Sequence, residues 1–172
     1  MRLTSFSDYA LRMLMFAASR PGAPFTIETA AQSFGVSRTH LNKVANTLTR
    51  GGLLTAVRGR SGGLLLAHPP AAIRIGDVVR LTEPDFAVVE CFATGNQCVL
   101  TGACKLSGMM GEAISAFQAA LDRYTLADII LAPNAFATGA SDAPTRPRRP
   151  YRRRGQPSPA IPADSDSAPT RF

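Results

Sequence analysis

The stretch Thr26-Ile-Glu-Thr-Ala-Ala-Gln-Ser-Phe-Gly35-Val-Ser-Arg-Thr-His-Leu-Asn-Lys43 decides the fold. Thr26 is a good helix N-cap, and Ile27, Ala30, Ala31 and Phe34 recur at the three- and four-residue steps that place side chains on one helical face. Gly35 stands where a left-handed residue closes a helix. Only Gly35 and Val36 then precede Ser37, which reads as the cap of another helix ending near Arg50-Gly51-Gly52. Two helices joined by so short a turn form a helix-turn-helix. Leu41, Val44, Ala45 and Leu48 make the buried stripe of the second helix. Arg38, Thr39, His40, Asn42, Lys43 and Asn46 lie mostly on its exposed side.

Upstream, Phe6, Tyr9, Ala10, Met13 and Ala17 mark the inward face of a helix from about Ser5 to Ser19. Ser5 and Asp8 have capping-box spacing, and Arg20-Pro21-Gly22 ends the helix. Downstream, Leu54–Arg58 and Leu64–Ala67 are β-like runs joined by Gly59-Arg60-Ser61-Gly62-Gly63, a glycine-rich hairpin turn. The expected fold is mainly α with a small β-hairpin: a winged helix-turn-helix. A short helix follows at about Ile75–Leu81, stopped before Pro84. A long one spans about Lys105–Arg123, with Leu106, Met109, Met110, Ala113, Ile114, Phe117, Ala120 and Leu121 in a wide apolar stripe. A second copy of the chain is the simplest partner for it; packing within one subunit is the other reading.

Charge divides the 172 residues into three parts. Residues 1–82, the expected DNA-binding domain, carry ten Lys/Arg against three Asp/Glu. Residues 83–132, the cysteine loop and dimerisation helix, carry two against six. Residues 133–172 hold eight of the thirteen prolines and the run Arg146–Arg154, and are expected to be a disordered tail. A basic first part points to a polyanion partner. No signal peptide or membrane span is visible, so a cytoplasmic protein without a membrane partner is expected.

A helix-turn-helix reads double-stranded DNA by placing the start of its second helix in the major groove. Arg38, Thr39 and Asn42 stand there for base edges, with Ser37 and His40 beside them. Lys43 and Arg50 suit phosphates. Arg58 and Arg60, at the wing, suit a minor groove.

All three cysteines lie in Cys91-FATGNQ-Cys98-VLTGA-Cys104. The C-x6-C-x5-C spacing lacks the close pairs of a zinc site, whereas thiolates are the usual ligands of iron–sulfur clusters. Gly95 and Gly102 allow close backbone approach. Redox-active or buried thiols remain alternatives on spacing alone. No dinucleotide fingerprint or Cys-x-x-Cys pair points to an enzyme.

Several stretches together resemble the winged-helix iron–sulfur repressors of the NsrR/IscR type. They are Leu3–Arg12, Gly35–Lys43, Thr55–Gly63, Ile73–Val79, the three cysteines and Leu121–Asp128. The Tyr124-Thr-Leu-Ala-Asp128 ending is closest to the branch that senses nitric oxide. IscR-like members carry a histidine three residues after the last cysteine, where this chain has Ser107. The resemblance implies that Cys91, Cys98 and Cys104 ligate a cluster, 4Fe–4S or 2Fe–2S, in each subunit of a homodimer. It further implies a repressor released from its operator by nitric oxide, and matches Asp8 to a fourth ligand supplied by the other subunit. The first cysteine gap is one residue longer than the family pattern, which a loop absorbs. The alternatives are a relative sensing iron–sulfur supply or redox state, or a thiol redox or electron-transfer protein.

Overall fold

The computed structural model describes residues 2–136. It contains α1 (Ser5–Ala18), α2 (Ile27–Phe34), α3 (Arg38–Arg50), β1 (Leu54–Val57), β2 (Gly63–Leu66), α4 (Ile75–Thr82) and α5 (Lys105–Asp122). The order is the expected one: three helices, a two-stranded wing, a short helix and a long one.

The helix-turn-helix forms for the local reasons that the sequence states. Thr26 Oγ1 accepts from the Thr29 N–H at 3.1 Å, and Gly35 closes α2 at φ 63°. At the start of α3, however, Ser37 makes no side-chain capping bond. α1 is also capped differently from expectation. Thr4, not Ser5, is the N-cap and accepts from the Ser7 N–H at 3.2 Å, so the Ser5–Asp8 capping box does not form. The reason is tertiary. Glu83 Oε1 accepts from both the Thr4 N–H (2.8 Å) and the Thr4 hydroxyl (3.1 Å), fixing Thr4 at the helix end.

β1 and β2 pair antiparallel, with Leu54 opposite Leu66 and Val57 opposite Gly63. Phe25 adds a bridge to Leu64 through two backbone hydrogen bonds of 2.8 and 3.0 Å, tying the wing to the entry of α2. A Cβ at Gly63 would collide with the Phe25 backbone, so only glycine allows this approach.

α1 is the central helix, packed by α3, α4, β2 and a 3₁₀ turn at Leu126–Ile129. Enclosure on several sides buries Leu14 and Phe16 beside the expected Ala10, Met13 and Ala17, while Phe6 and Tyr9 stay half-buried. Phe16 anchors an edge-to-face aromatic cluster with Phe25, Phe34 and Phe136 at centroid distances of 5.3, 5.5 and 5.3 Å. Phe136 ends a 3₁₀ turn at Pro133–Phe136, so the fold continues beyond residue 132. The remaining residues of the expected tail, 137–172, lie outside the described residues.

α5 buries none of its residues fully. Leu106 and Met109 are 50% and 64% exposed, leaving the first half of the apolar stripe largely uncovered by the rest of the described chain. Its far end is fastened. Leu126, just beyond α5, is fully buried in the winged-helix core, and its N–H donates to the Ile73 carbonyl at 2.8 Å. Among the described residues no helix is long and apolar enough to cross a membrane.

Candidate nucleic-acid interface and thiol segment

α3 turns Leu41, Val44, Ala45 and Leu48 inward and leaves Arg38, Thr39, His40, Asn42, Lys43 and Arg50 exposed, with Ser37 exposed at its cap. These polar residues divide between two sides. Arg38 and Asn42 line a cleft of about 380 Å³ with Thr26, Glu28, Val57 and Leu64, between α2, α3 and the wing. His40 and Lys43 line a smaller apolar hollow with Phe6 and Tyr9 of α1. Arg38 and Asn42 therefore share the wing side, and Lys43 stands away from them.

Each carboxylate of the first 82 residues meets an arginine: Asp8 with Arg12 at 2.8 Å, Glu28 with Arg38 at 2.8 Å, and Asp77 with Arg80 at 2.6 Å. Among the described residues Lys43, Arg50, Arg58 and Arg60 have no ion pair. Arg58 and Arg60 are exposed at the hairpin turn, where Gly59 adopts φ 115°. Lys43 and Arg50 on α3 and Arg58 and Arg60 on the wing thus present uncompensated positive charge from both elements, which suits a polyanion.

Cys91 sits in a 3₁₀ turn at Glu90–Phe92, Cys98 in the loop, and Cys104 at the N-cap of α5. All three thiols are free and partly exposed. Asn96 orders the loop: its Oδ1 accepts from the Cys98 N–H and its Nδ2 donates to Thr101 Oγ1, both at 2.8 Å. Gly95 and Gly102 take φ 82° and 92°, turns that a side chain would strain. Ser107 Oγ donates to the Cys104 carbonyl at 2.7 Å, closing the first turn of α5.

Among the described residues no three His, Cys, Asp or Glu side chains converge closely enough to hold one metal ion. A single zinc requires all its ligands around one atom. A multi-iron cluster spreads its thiolates over several irons. The three free thiols on one loop are of the ligand type that iron–sulfur clusters take. Asp8 is engaged by Arg12 in a two-point, half-exposed pair, with Nε donating at 3.1 Å and a second nitrogen at 2.8 Å. It caps nothing, so only a weak surface pair competes for its carboxylate.

Besides the backbone bonds around Leu126, side-chain contacts join both ends of the thiol segment to the winged helix. Glu83, at the head of the segment, holds Thr4. At the far end of α5, Arg80 donates to both oxygens of Asp122, at 2.7 and 3.2 Å. Asp122 and Asp77 raise the Arg80 pKa further above its ordinary range. Hydrogen bonding from Arg80 holds the Asp122 carboxyl below the usual carboxylate range. The Thr125 N–H does the same for Asp128, with which Thr125 forms a capping box. Glu28, Glu83, Arg80 and Asp122 have no local motif. Their one trace in the sequence is the scarcity of acids around Glu28.

Residues 3–132 match the family model Rrf2, described as an iron-dependent transcriptional regulator. The HTH-type transcriptional regulator NsrR of Bacillus subtilis (strain 168) is 46% identical over 132 residues, 76% of this chain and 90% of that protein. The structure of CymR, the global cysteine regulator of B. subtilis, superposes with TM-score 0.63 at 27% identity, covering 75% of this chain and 95% of that one. IscR of T. potens shares the fold, with TM-score 0.58 at 24% identity over 75% of this chain and 85% of that one.

Proposed function

The chain belongs to the Rrf2 family of transcriptional regulators, and on that premise we propose that it is a homodimeric repressor whose operator binding depends on an iron–sulfur cluster and is relieved by nitric oxide. DNA binding follows from the family and from the basic surface of α3 and the wing. One observation carries the switch. The free thiols end on Cys104, the N-cap of α5, while the last residue of α5, Asp122, is bonded to Arg80 in the winged-helix unit.

Cys91, Cys98 and Cys104 are the ligands of a 4Fe–4S or 2Fe–2S cluster, one per subunit, with Asp8 of the partner subunit as the fourth. When bound, the cluster supplies iron to which nitric oxide can coordinate. The three thiolates draw the 91–104 loop together and fix the start of α5. Asp8, once freed from Arg12, ties α1 of one subunit to the loop of the other. The exposed stripe around Leu106 and Met109 packs against its copy. With both ends of α5 held, the two α3 helices stand about 34–36 Å apart, the spacing of successive major grooves. Releasing the thiols frees one end of α5 and loses that spacing. A preference of about 5.5 kcal/mol for the held state moves the population from almost all one form to almost all the other.

The test is an anaerobic titration of the DNA-bound protein with nitric oxide, followed by electrophoretic mobility. Stoichiometric release supports the proposal. Release by oxygen or an iron chelator, with nitric oxide inert, assigns the chain to redox or iron–sulfur supply sensing instead.

A further inference from the structure

Glu28 has no role in the function described so far. The other two carboxylates of the basic region pair within their own helices, Asp8 with Arg12 and Asp77 with Arg80. Glu28 alone reaches across the helix-turn-helix, from the first turn of α2 to Arg38, the first residue of α3. Both of its oxygens are engaged: Oε2 lies 2.8 Å from Arg38 Nε, and Oε1 accepts from Gln32 Nε2 at 3.4 Å. The pair lines the cleft that also holds Asn42 and the wing residues Val57 and Leu64.

A carboxylate here opposes the positive field of the reading surface. Phosphates repel it, so it lowers affinity for DNA of any sequence. The same anion restrains Arg38. An unrestrained arginine is free to settle on a phosphate, a contact without sequence information. Moving Arg38 away from Glu28 toward a phosphate leaves a bare carboxylate beside the DNA backbone. Meeting a guanine edge from the cleft keeps the two charges together. The structure thus provides a penalty against wrong contacts as well as an attraction to the right one.

We propose that Glu28 is a specificity-determining residue, which holds Arg38 on the wing side of α3 and so restricts it to guanine edges in the major groove. This rests on the DNA-reading function proposed above.

The test uses the full-length protein and a pool of randomised duplexes. Base preferences are selected for the unsubstituted protein, Glu28→Gln, Arg38→Ala and the double variant. Affinity is then measured for the selected sequence and for an unrelated duplex. Glutamine keeps the size and the contact to Gln32 while removing the charge. Glu28→Gln is expected to bind the unrelated duplex more tightly, and the ratio of the two affinities to fall by about tenfold, within the discrimination one bidentate base contact supplies. The base position that relaxes is the one relaxed by Arg38→Ala, and the double variant matches Arg38→Ala. An unchanged ratio and base profile overturns the inference, including where the variant merely melts at a lower temperature. No sequence preference in the unsubstituted protein sinks the DNA-reading function itself, and the inference with it.

Discussion

Arg80 of α4 grips Asp122, the last residue of α5, through both carboxylate oxygens, and Gly76 lies directly against that carboxylate. A Cβ at Gly76 would overlap Asp122, so alanine there must push α5 off α4 or swing the carboxylate out of the fork. Overpacking of this kind costs about 1–3 kcal/mol. Gly76→Ala is expected to lower the urea midpoint accordingly, with the slope of the transition unchanged.

The same fork gives a pH signature. Arg80 depresses the Asp122 pKa in the folded protein from its ordinary 3.8. A depressed carboxyl stabilises the fold fully above its unfolded pKa and loses that contribution as the pH falls through the folded value. Acidification below about pH 3.8 therefore weakens the protein, and Asp122→Asn makes the loss shallower. Asp128, held low by Thr125, leaves part of the slope in place. Urea midpoints measured at descending pH check both statements.

Leu126 is the plug that returns the chain from α5 to the core, and it is fully buried. Leu126→Ala is expected to cost about 2–5 kcal/mol, as buried leucines do. A loss below half a kcal/mol, by chemical unfolding, would mean that the end of α5 is not anchored as described.

These joints also show what a sequence makes legible. The helix-turn-helix is readable because its determinants are local: Thr26 caps within three residues, and Gly35 needs only its own backbone freedom. The cap of α1 is not. Thr4, Ser5 and Ser7 all carry suitable hydroxyls, and the choice is made by Glu83, 79 residues away. The apolar stripe of α5 is legible as a pattern, but the Leu126 plug and the docking of Phe136 on Phe16 depend on how the chain turns back. For the thiols, residue type and spacing can be read. Their placement in space cannot, because Gly95, Asn96 and Gly102 shape a loop without periodicity.

Arg38 and Lys43, on different sides of α3, are expected to fail differently. Arg38→Ala relaxes base preference at one position, whereas Lys43→Ala weakens binding to all sequences and reduces the salt slope by about one. Binding isotherms over a range of salt concentrations separate them. Identical effects on every duplex would refute the division of α3 into two sides.

Asp8 offers a spectroscopic prediction. Its half-exposed pair with Arg12 contributes about 0.3–0.5 kcal/mol, so Asp8→Ala is expected to leave the unfolding curve nearly unmoved. The visible absorption of the anaerobic protein, and its response to nitric oxide, should nevertheless change. An unaltered spectrum removes Asp8 from the ligand set.

The most direct measurement is iron, sulfide and zinc content, with visible absorption, of the anaerobically purified protein and of Cys98→Ala, alongside operator affinity. The account predicts a coloured, iron- and sulfide-bearing protein that binds its selected duplex, and a colourless variant that has lost iron and specific binding together. An iron-free, colourless preparation that binds the same duplex at full strength would contradict it.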